Sequence, residues 1–288
     1  LGPEHPSTLS TVGKLAGFFQ RKGDYEQAEA YYSRCLEAQE RLLGPEHPST
    51  LSTVCHLAGL FQRKGDYEQA EAYYSRCLEA QERLLGPEHP STLSTVGHLA
   101  GFFQRKGDYE QAEADYSRCL EACERLLGPE HPFTLSTVGN LGNLYRNKGD
   151  YEQAAAYYSR CLEGCERVLG PEHPDSLTAV YNLADLLSQQ GRRAEAIPLR
   201  RRALAWCRQH NGDADPSTLT SINALAIDLR ETGELQEAEA LFRELVAGRQ
   251  RVLEARDFGI GRALGGLAKT LEEASKLVGF LAAPARWR

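Results

Sequence analysis

Apolar residues recur along the chain at three- and four-residue steps, in stretches separated by short polar linkers. The apolar positions of the first stretch share one side of a helix: Leu9, Val12, Leu15, Ala16 and Phe19. This stripe stops at Gly23, and a second stripe of the same period ends before Gly44 and Pro45. The pattern predicts a hairpin of two helices, each roughly 17 residues and about 25 Å long.

Polar residues at the helix starts predict how each helix begins. Asp24 is placed to cap the second helix, and Gln27 follows three residues later as a capping box requires. Pro48 suits the first turn of the next helix, where the missing N–H costs nothing. Each of the first five linkers carries a histidine before such a proline: His5, His47, His89, His131 and His173. We interpret them as helix-start residues, because stacked helices lie about 8–10 Å apart while metal ligands need bonds of about 2 Å.

The hairpin recurs with a fixed period along most of the chain. The phrase Leu-Gly-Pro-Glu-His-Pro begins at Leu1, Leu43, Leu85, Leu127 and Leu169, and a degenerate copy begins at Asn211. The predicted organisation is six repeats of 42 residues followed by a capping helix and tail: 1–42, 43–84, 85–126, 127–168, 169–210, 211–252 and 253–288. A single hairpin cannot bury both stripes, so the hairpins must stack into an all-α solenoid.

The two ends of the array are predicted to differ. After residue 252 the linker phrase is lost, but Leu264, Leu267 and Leu271 keep helical spacing, which predicts a thirteenth helix that covers the last hairpin. The front has no such cover, and its apolar stripe is flanked by Phe18. We therefore expect end-to-end self-association through residues 1–22 at high concentration.

One stretch of the fourth repeat carries a family resemblance. Asn140-Leu141-Gly142-Asn143-Leu144-Tyr145, followed by Gly149-Asp150-Tyr151 and Ala154, closely resembles the tetratricopeptide repeat signature. The 42-residue period and the Gly-Pro-Glu-His-Pro linker are similar to the kinesin light chain and nephrocystin variety, over about residues 1–252. The resemblance implies a right-handed superhelix of about 13 helices, whose first helices line a concave groove for extended or helical peptides.

The groove residues follow from the helical wheel. They lie opposite the apolar stripe of each first helix. The predicted partner-binding residues are Lys14, Gln20, Arg21, His56, Gln62, Arg63, His98, Gln104, Arg105, Asn140, Asn143, Arg146, Asn182, Asp185, Asn223 and Arg230. The asparagines could pair with the N–H and C=O groups of a peptide backbone at once. The alternative interpretation of this face is a solvated polar surface without a partner.

Composition limits the function classes. A net charge of −7 argues against a phosphate-backbone binder, and no apolar stretch approaches a membrane span. The spacing of the eight cysteines is typical of reduced intracellular thiols, which favours the cytoplasm. We predict a non-catalytic scaffold for a protein or peptide partner, with no catalytic residues, no metal and no cofactor. Two alternatives stay open, a self-associating structural array and the interaction or sensing arm of a larger enzyme or receptor.

Charged residues of the second helices give two further expectations. Glu79 and Arg83 are four residues apart and are predicted to pair along one helix. Arg200 occupies the position that Tyr32 holds in the first repeat, two residues after Pro198. A guanidinium cannot remain unpaired in an apolar core, so Arg200 must reach solvent or an acidic partner. We expect this fifth repeat to be the weakest joint.

Overall fold

The computed structural model describes residues 5–253, 265–266 and 269–270. In this part of the chain there are twelve α-helices and no β-strand. The helices are α1 (Pro6–Lys22), α2 (Tyr25–Leu43), α3 (Pro48–Lys64), α4 (Tyr67–Leu85), α5 (Pro90–Lys106), α6 (Tyr109–Leu127), α7 (Pro132–Lys148), α8 (Tyr151–Leu169), α9 (Pro174–Gln189), α10 (Arg193–Asn211), α11 (Pro216–Thr232) and α12 (Leu235–Leu253). None of these helices is both long and apolar enough to cross a bilayer.

The helices belong to two compact units, unit 1 (Leu1–Leu144) and unit 2 (Tyr145–Arg288). In unit 1, α1 packs on α2, α3 on α4 and α5 on α6, and successive pairs meet through α2 with α3 and α4 with α5. In unit 2, each helix from α8 to α12 packs on the next in the chain. The predicted all-α stack of helix hairpins is confirmed in both units.

Each first helix begins at a capped proline. In α3, Pro48 is the first helical residue and the backbone N–H of Ser49 donates to Nδ1 of His47 at 3.2 Å. This confirms the predicted role of the linker histidines at helix starts. In α2, the N–H of Gln27 donates to the Asp24 carboxylate at 3.2 Å, as predicted. The Gln27 side chain donates to the other oxygen of that carboxylate at 3.0 Å, so it supports the cap without completing a capping box.

Glycines end both kinds of helix. Gly23 ends α1 in the left-handed conformation at φ 85°, with its N–H bonded to the carbonyl of Gln20. Gly44 ends α2 at φ 94° and ψ 160°, a region open to glycine but strained for other residues. The hydroxyl of Thr50 in α3 then donates to the Gly44 carbonyl at 2.9 Å and ties the next helix to this turn.

The predicted stripe of the first helix is buried in α3 of unit 1 and is wider than expected, whereas in α1 Leu15 of the stripe is exposed. Leu57 and Ala58 of α3 are fully buried with Tyr74 of α4. Leu60 in α3 and Phe102 in α5 are fully buried as well, at the repeat position that Phe18 holds in α1. The Phe102 ring packs against Tyr74 of the preceding hairpin at a centroid distance of 5.9 Å. This position is therefore the contact between successive hairpins.

Salt bridges also join successive repeats. Arg118 bonds Glu82 at 2.8 Å and Lys106 bonds Glu71 at 2.6 Å, each pair across one repeat boundary. The predicted partner of Arg83 is wrong, because its guanidinium bonds Glu46 in the preceding linker. The stack brings that carboxylate to Arg83 from the linker between α2 and α3, and sequence spacing along one helix cannot reveal such a contact.

The core of unit 2 contains an ion pair where unit 1 has aromatic rings. Arg200 is 7% exposed and bonds Asp228 of α11, which is 2% exposed. Arg200 also donates to Asp185 at 2.9 Å and to the Ser188 hydroxyl at 3.2 Å. The prediction that Arg200 finds an acidic partner is confirmed. Asp228 stands at the repeat position of Phe102, so the Tyr74–Phe102 ring contact of unit 1 becomes an Arg–Asp pair here.

The first and last of the described helix hairpins differ in how far other residues cover their apolar surfaces. Phe18 is 51% exposed on α1, although its equivalents Leu60 and Phe102 are fully buried. Most of the predicted thirteenth helix lies outside the described residues. Its described residues are helical, and Thr270 is buried with its hydroxyl on the Gly266 carbonyl at 3.0 Å. A Cβ at Gly266 would lie 2.6 Å from the Phe242 ring, so this segment packs directly on α12.

The histidine cap provides a direct test of the linker. His47→Ala leaves a backbone N–H of α3 without its acceptor, and we expect the free energy of unfolding in urea to fall by about 1 kcal/mol. His47→Asp is the matched control, because Asp215 accepts the equivalent bond from Ser217 N at 2.8 Å in α11. Equal losses in the two variants would show that the linker histidine acts by some means other than capping.

The Arg200–Asp228 pair provides a second test. Arg200→Leu leaves a buried carboxylate, and Arg193 lies 3.5 Å from it as partial compensation. We expect a loss of about 3–5 kcal/mol in the free energy of unfolding. The double variant Arg200→Tyr with Asp228→Leu removes both charges and reproduces the buried pair of Tyr158 and Leu186. Its free energy of unfolding should therefore be close to that of the parent chain. A single variant that costs under 1 kcal/mol would contradict the burial argument.

Candidate functional site

A cleft of about 680 Å³ lies between α1 and α3 in unit 1. Its walls include the outward side of α1, the matching side of α3 and a floor from α2: Ser10, Gly13, Lys14, Gly17, Arg21, Ser52, His56, Tyr32 and Gln39. Clefts of this size are typical of ligand sites in proteins. Three predicted contacts, Lys14, Arg21 and His56, lie around this one cleft.

The same outward side recurs on α3 and α5. We call it the first-helix face of unit 1 and define it by three residues from each of the first three repeats: Lys14, Gln20, Arg21, His56, Gln62, Arg63, His98, Gln104 and Arg105. The lysine, arginines and histidines are exposed, and the three glutamines are half-buried. None of the nine residues is buried, as the helical wheel predicts for the side opposite the apolar stripe.

Two of the glutamines, Gln20 and Gln62, are held by tyrosines of the second helices. The hydroxyl of Tyr32 donates to the Gln20 side-chain oxygen at 3.4 Å, and that of Tyr74 donates to Gln62 at 3.2 Å. The Gln62 amide in turn donates to the Gly101 carbonyl of α5 at 3.4 Å. The glutamines therefore brace the face, whereas the sequence assigned them to partner contact alone.

Sequence reasoning missed the tyrosine hydroxyls as members of the face. A Cβ at Gly17 would lie 3.3 Å from the hydroxyl oxygen of Tyr32, and a Cβ at Gly101 would lie 3.2 Å from that of Tyr116. The glycines thus leave room for hydroxyls that rise from the core. The joint recurrence of glycine and tyrosine at these two repeat positions was the signal available in the sequence.

The histidines are neutral parts of this face at pH 7. The His56 ring stacks on Tyr32 with centroids 5.6 Å apart. Burial lowers the pKa of His56 from its ordinary 6.5 and the charge on His98 lowers it further, while burial also lowers the pKa of His98. The stability that the neutral rings contribute is lost as the pH falls below about 6.5 towards these lower values.

The face carries positive charge at neutral pH. Arg21, Arg63 and Arg105 occupy the same repeat position on α1, α3 and α5, and none of the face positions in these helices holds an acid. Burial raises the pKa of Tyr32 and the Arg21 charge opposes that rise, which puts the guanidinium within electrostatic reach of the cleft floor. A cationic surface on a chain of net charge −7 is a local feature rather than a general property.

The predicted residues of α7 and unit 2 have other surroundings. Asn140, Asn143, Arg146, Asn182 and Asn223 are half-buried. Two of the charged residues, Asp185 and Arg230, form ion pairs within unit 2. Asp185 bonds Arg200 at 2.9 Å, and Arg230 bonds Glu231 at 2.6 Å. Asn223 also stands one repeat position earlier than Asn140 and Asn182, so the three asparagines do not form one equivalent set.

Unit 2 has a cleft of its own between α9 and α11. It measures about 470 Å³ and is lined by Leu177, Tyr181, Trp206 and Ser221 among others. The Tyr181 hydroxyl lies 2.8 Å from the Ser221 hydroxyl and 2.9 Å from the Cys207 sulfur, and it fills the space that Gly13 leaves open in unit 1. This cleft is apolar and aromatic, in contrast to the cationic cleft of unit 1.

The cysteines and acids show no metal-binding arrangement in the described part of the chain. No three His, Cys, Asp or Glu side chains are grouped there at the distances a metal ion requires. All eight cysteines are free thiols, and seven of them are buried. The position shared by Cys35, Cys77 and Cys119 is a core position, since each thiol donates to a carbonyl of the neighbouring first helix at 3.5 Å.

Comparisons with known proteins identify the repeat. The tetratricopeptide repeat pattern matches residues 4–61, 49–100, 92–163, 134–209 and 178–251, which together span most of the chain. A search of curated protein sequences finds no match. The similarity to known proteins therefore comes from the repeat pattern and from solved structures.

Solved structures share the fold. A Podosopora anserina protein assigned as a kinesin light chain, with nearly identical TPR-like repeats, is 26% identical, covers 73% of this chain and 100% of its own, and has a TM-score of 0.65. BtubC (BKLC) from P. vanneervenii is 23% identical, with coverages of 81% and 94% and a TM-score of 0.70. A Rap protein complexed with Competence and Sporulation Factor is 14% identical, with coverages of 92% and 75% and a TM-score of 0.61. The last two show similarity of fold alone.

The helix hairpins and their 42-residue period agree with the match to the tetratricopeptide repeat pattern. The structural neighbours include proteins of kinesin light chain type. This chain belongs to the tetratricopeptide repeat family.

Proposed function

We propose that this chain is a non-catalytic interaction scaffold that binds an acidic peptide segment of a partner protein on the first-helix face of unit 1. The observation that carries the proposal is the 680 Å³ cleft with Lys14, Arg21 and His56 around it and no acid at the face positions. Charge complementarity with such a surface favours an acidic partner. Membership of a repeat family of protein-interaction scaffolds supports the general class.

The arginines give the proposal its chemistry. Arg21, Arg63 and Arg105 recur once per repeat along the edge of the face. Guanidinium groups bind carboxylates through paired, charge-assisted hydrogen bonds. An extended peptide that lies across the three first helices would meet one arginine at each of them. The serines and braced glutamines beside them offer hydrogen bonds to its backbone.

The experiment uses the full chain and a fluorescein-labelled peptide rich in Glu and Asp with one central Leu. Replacing Arg21, Arg63 and Arg105 together with Gln should weaken binding by about tenfold or more, on the order of 1.4 kcal/mol. Arg34→Gln is the control, because this exposed arginine lies on the second helix α2. We expect its affinity to be unchanged, and an anisotropy titration reports all variants.

Two further measurements separate this site from nonspecific attraction. Raising the salt concentration should weaken binding, and a basic peptide of the same length should not bind. Lowering the pH below 6.5 should strengthen binding once His56 and His98 gain protons, and His56→Gln with His98→Gln should remove that gain. The proposal fails if the triple arginine variant binds as tightly as the parent chain.

The asparagines are proposed as additional contacts. Asn182 and Asn223 of unit 2 and Asn140 of unit 1 are half-buried amides on first helices. They suit the backbone of an extended ligand. Single alanine variants, scored by the same titration, assign each unit its own contribution to binding.

A second function, self-association, is favoured by one observation. Phe18 is 51% exposed at the front of unit 1, where inner repeats bury the equivalent residue completely. A second copy of the chain could cover this apolar surface. We propose that concentrated protein associates through residues 1–22.

Sedimentation across a hundredfold concentration range tests the association. Phe18→Glu should keep the chain monomeric throughout. Leu84→Glu is the matched control, since Leu84 is 49% exposed but lies at the end of α4. Association that persists in the Phe18 variant, or a monomer at every concentration of the parent, would exclude this contact.

A further inference from the structure

The second repeat carries one cysteine on each of its two helices, Cys55 and Cys77, an arrangement that the other repeats lack. Position 13 of the repeat is glycine in the first, third and fourth copies, Gly13, Gly97 and Gly139, but it is Cys55 in the second. Cys55 lies on α3, and Cys77 is the core cysteine of α4. Both sulfurs contact one hydroxyl, that of Thr95, at 3.5 and 3.9 Å. Two thiols therefore converge on a single point.

The two thiols differ in access. Cys55 is partly exposed, and it is the one cysteine of the eight that is not buried. Cys77 is fully buried, with its sulfur 3.5 Å from the Leu51 carbonyl, as the equivalent cysteines of other repeats are. A reagent in solution therefore reaches Cys55 first, and Cys77 is positioned behind it.

We propose that Cys55 and Cys77 form a reversible redox site that reacts with a low-molecular-weight disulfide such as glutathione disulfide. The Cys55 thiolate attacks one sulfur of that disulfide, forms a mixed disulfide and releases one thiol. The Cys77 sulfur then attacks the Cys55 sulfur, its proton passing to the second released thiol. Two protein thiols and one small disulfide thus give one protein disulfide and two small thiols.

The electrostatics of the pair agree with this order of attack. The neighbouring Cys77 thiol lowers the pKa of Cys55, burial opposes this effect, and the Thr95 hydroxyl lowers the pKa again. The Cys55 thiol and burial raise the pKa of Cys77, which keeps the proton on the inner sulfur. The thiolate, which is the nucleophile, thus forms on the accessible residue.

The chain contains a matched pair that should not react. Cys119 and Cys123 of α6 have sulfurs 3.9 Å apart, and both are fully buried. Proximity alone would predict that they oxidise as well. The proposal predicts that they stay reduced in the folded protein, because no oxidant reaches either sulfur.

The test treats the reduced chain with glutathione disulfide, traps free thiols by alkylation and measures the mass of the protein. We expect the loss of two hydrogen atoms and a tryptic link between the peptides of Cys55 and Cys77. The peptides Cys35–Arg41 and Cys77–Arg83 have identical sequences, so the mapping uses a Cys35→Ala background. Alanine is the natural residue at that position in the fifth repeat, as Ala203.

Two variants separate the steps. Cys77→Ala should stop at the mixed disulfide and gain the mass of one glutathione on Cys55. Cys55→Gly gives the residue of Gly13 and Gly97, so the fold tolerates it, and Cys77 should then remain unmodified. Alkylation of Cys55 in the parent should also reach half its maximal rate below the ordinary thiol pKa of 9.0.

The outcomes that overturn the proposal are distinct. A stable mixed disulfide on Cys55 in the parent chain would show that Cys77 does not resolve it. Oxidation of Cys119 with Cys123 at the same rate would show that exposure does not select the site. A parent chain with all thiols still free after the treatment would exclude the reaction. None of these results bears on peptide binding, which the arginine variants test.

Discussion

The structure depends on the burial of each first helix against the second helix of the preceding hairpin. Leu60 and Phe102 are fully buried at this contact, whereas Phe18, at the same repeat position in α1, is 51% exposed. Because a hairpin cannot cover its own outer stripe, each repeat is stable only within the stack. The linker serves this contact, since the Thr50 hydroxyl fixes α3 to the turn at Gly44.

The same packing also builds the first-helix face. Tyr32 is only 3% exposed, yet its hydroxyl reaches the face, where it donates to Gln20 beside Gly17. The core and the candidate site thus share Tyr32. A substitution of this residue would alter both the packing of the core and the hydrogen bonds of the face. The charged residues at the rim, such as Arg21, are free of this constraint and can differ between repeats without cost to the core.

In the fifth and sixth repeats, both residues of a core contact between hairpins are replaced together. Where Tyr74 meets Phe102 in unit 1, Arg200 meets Asp228 in unit 2. Asp185 then stands at the repeat position of Gly17 and supplies a second carboxylate for the guanidinium. One buried cation thereby requires acids from two helices, and this use of Asp185 removes it from the set of free groove residues.

The sequence by itself determined the helices, their period, their caps and the side of each first helix that faces outward, because these depend on spacing and local hydrogen bonds. His47, Asp24 and Pro48 were assigned correctly for that reason. Only the tertiary structure decided which charges meet, as when Arg83 bonds Glu46 rather than Glu79. It also decided that Cys55 of α3 and Cys77 of α4 meet at the Thr95 hydroxyl, since side chains on different helices are brought together by the packing of those helices and by no spacing along the chain.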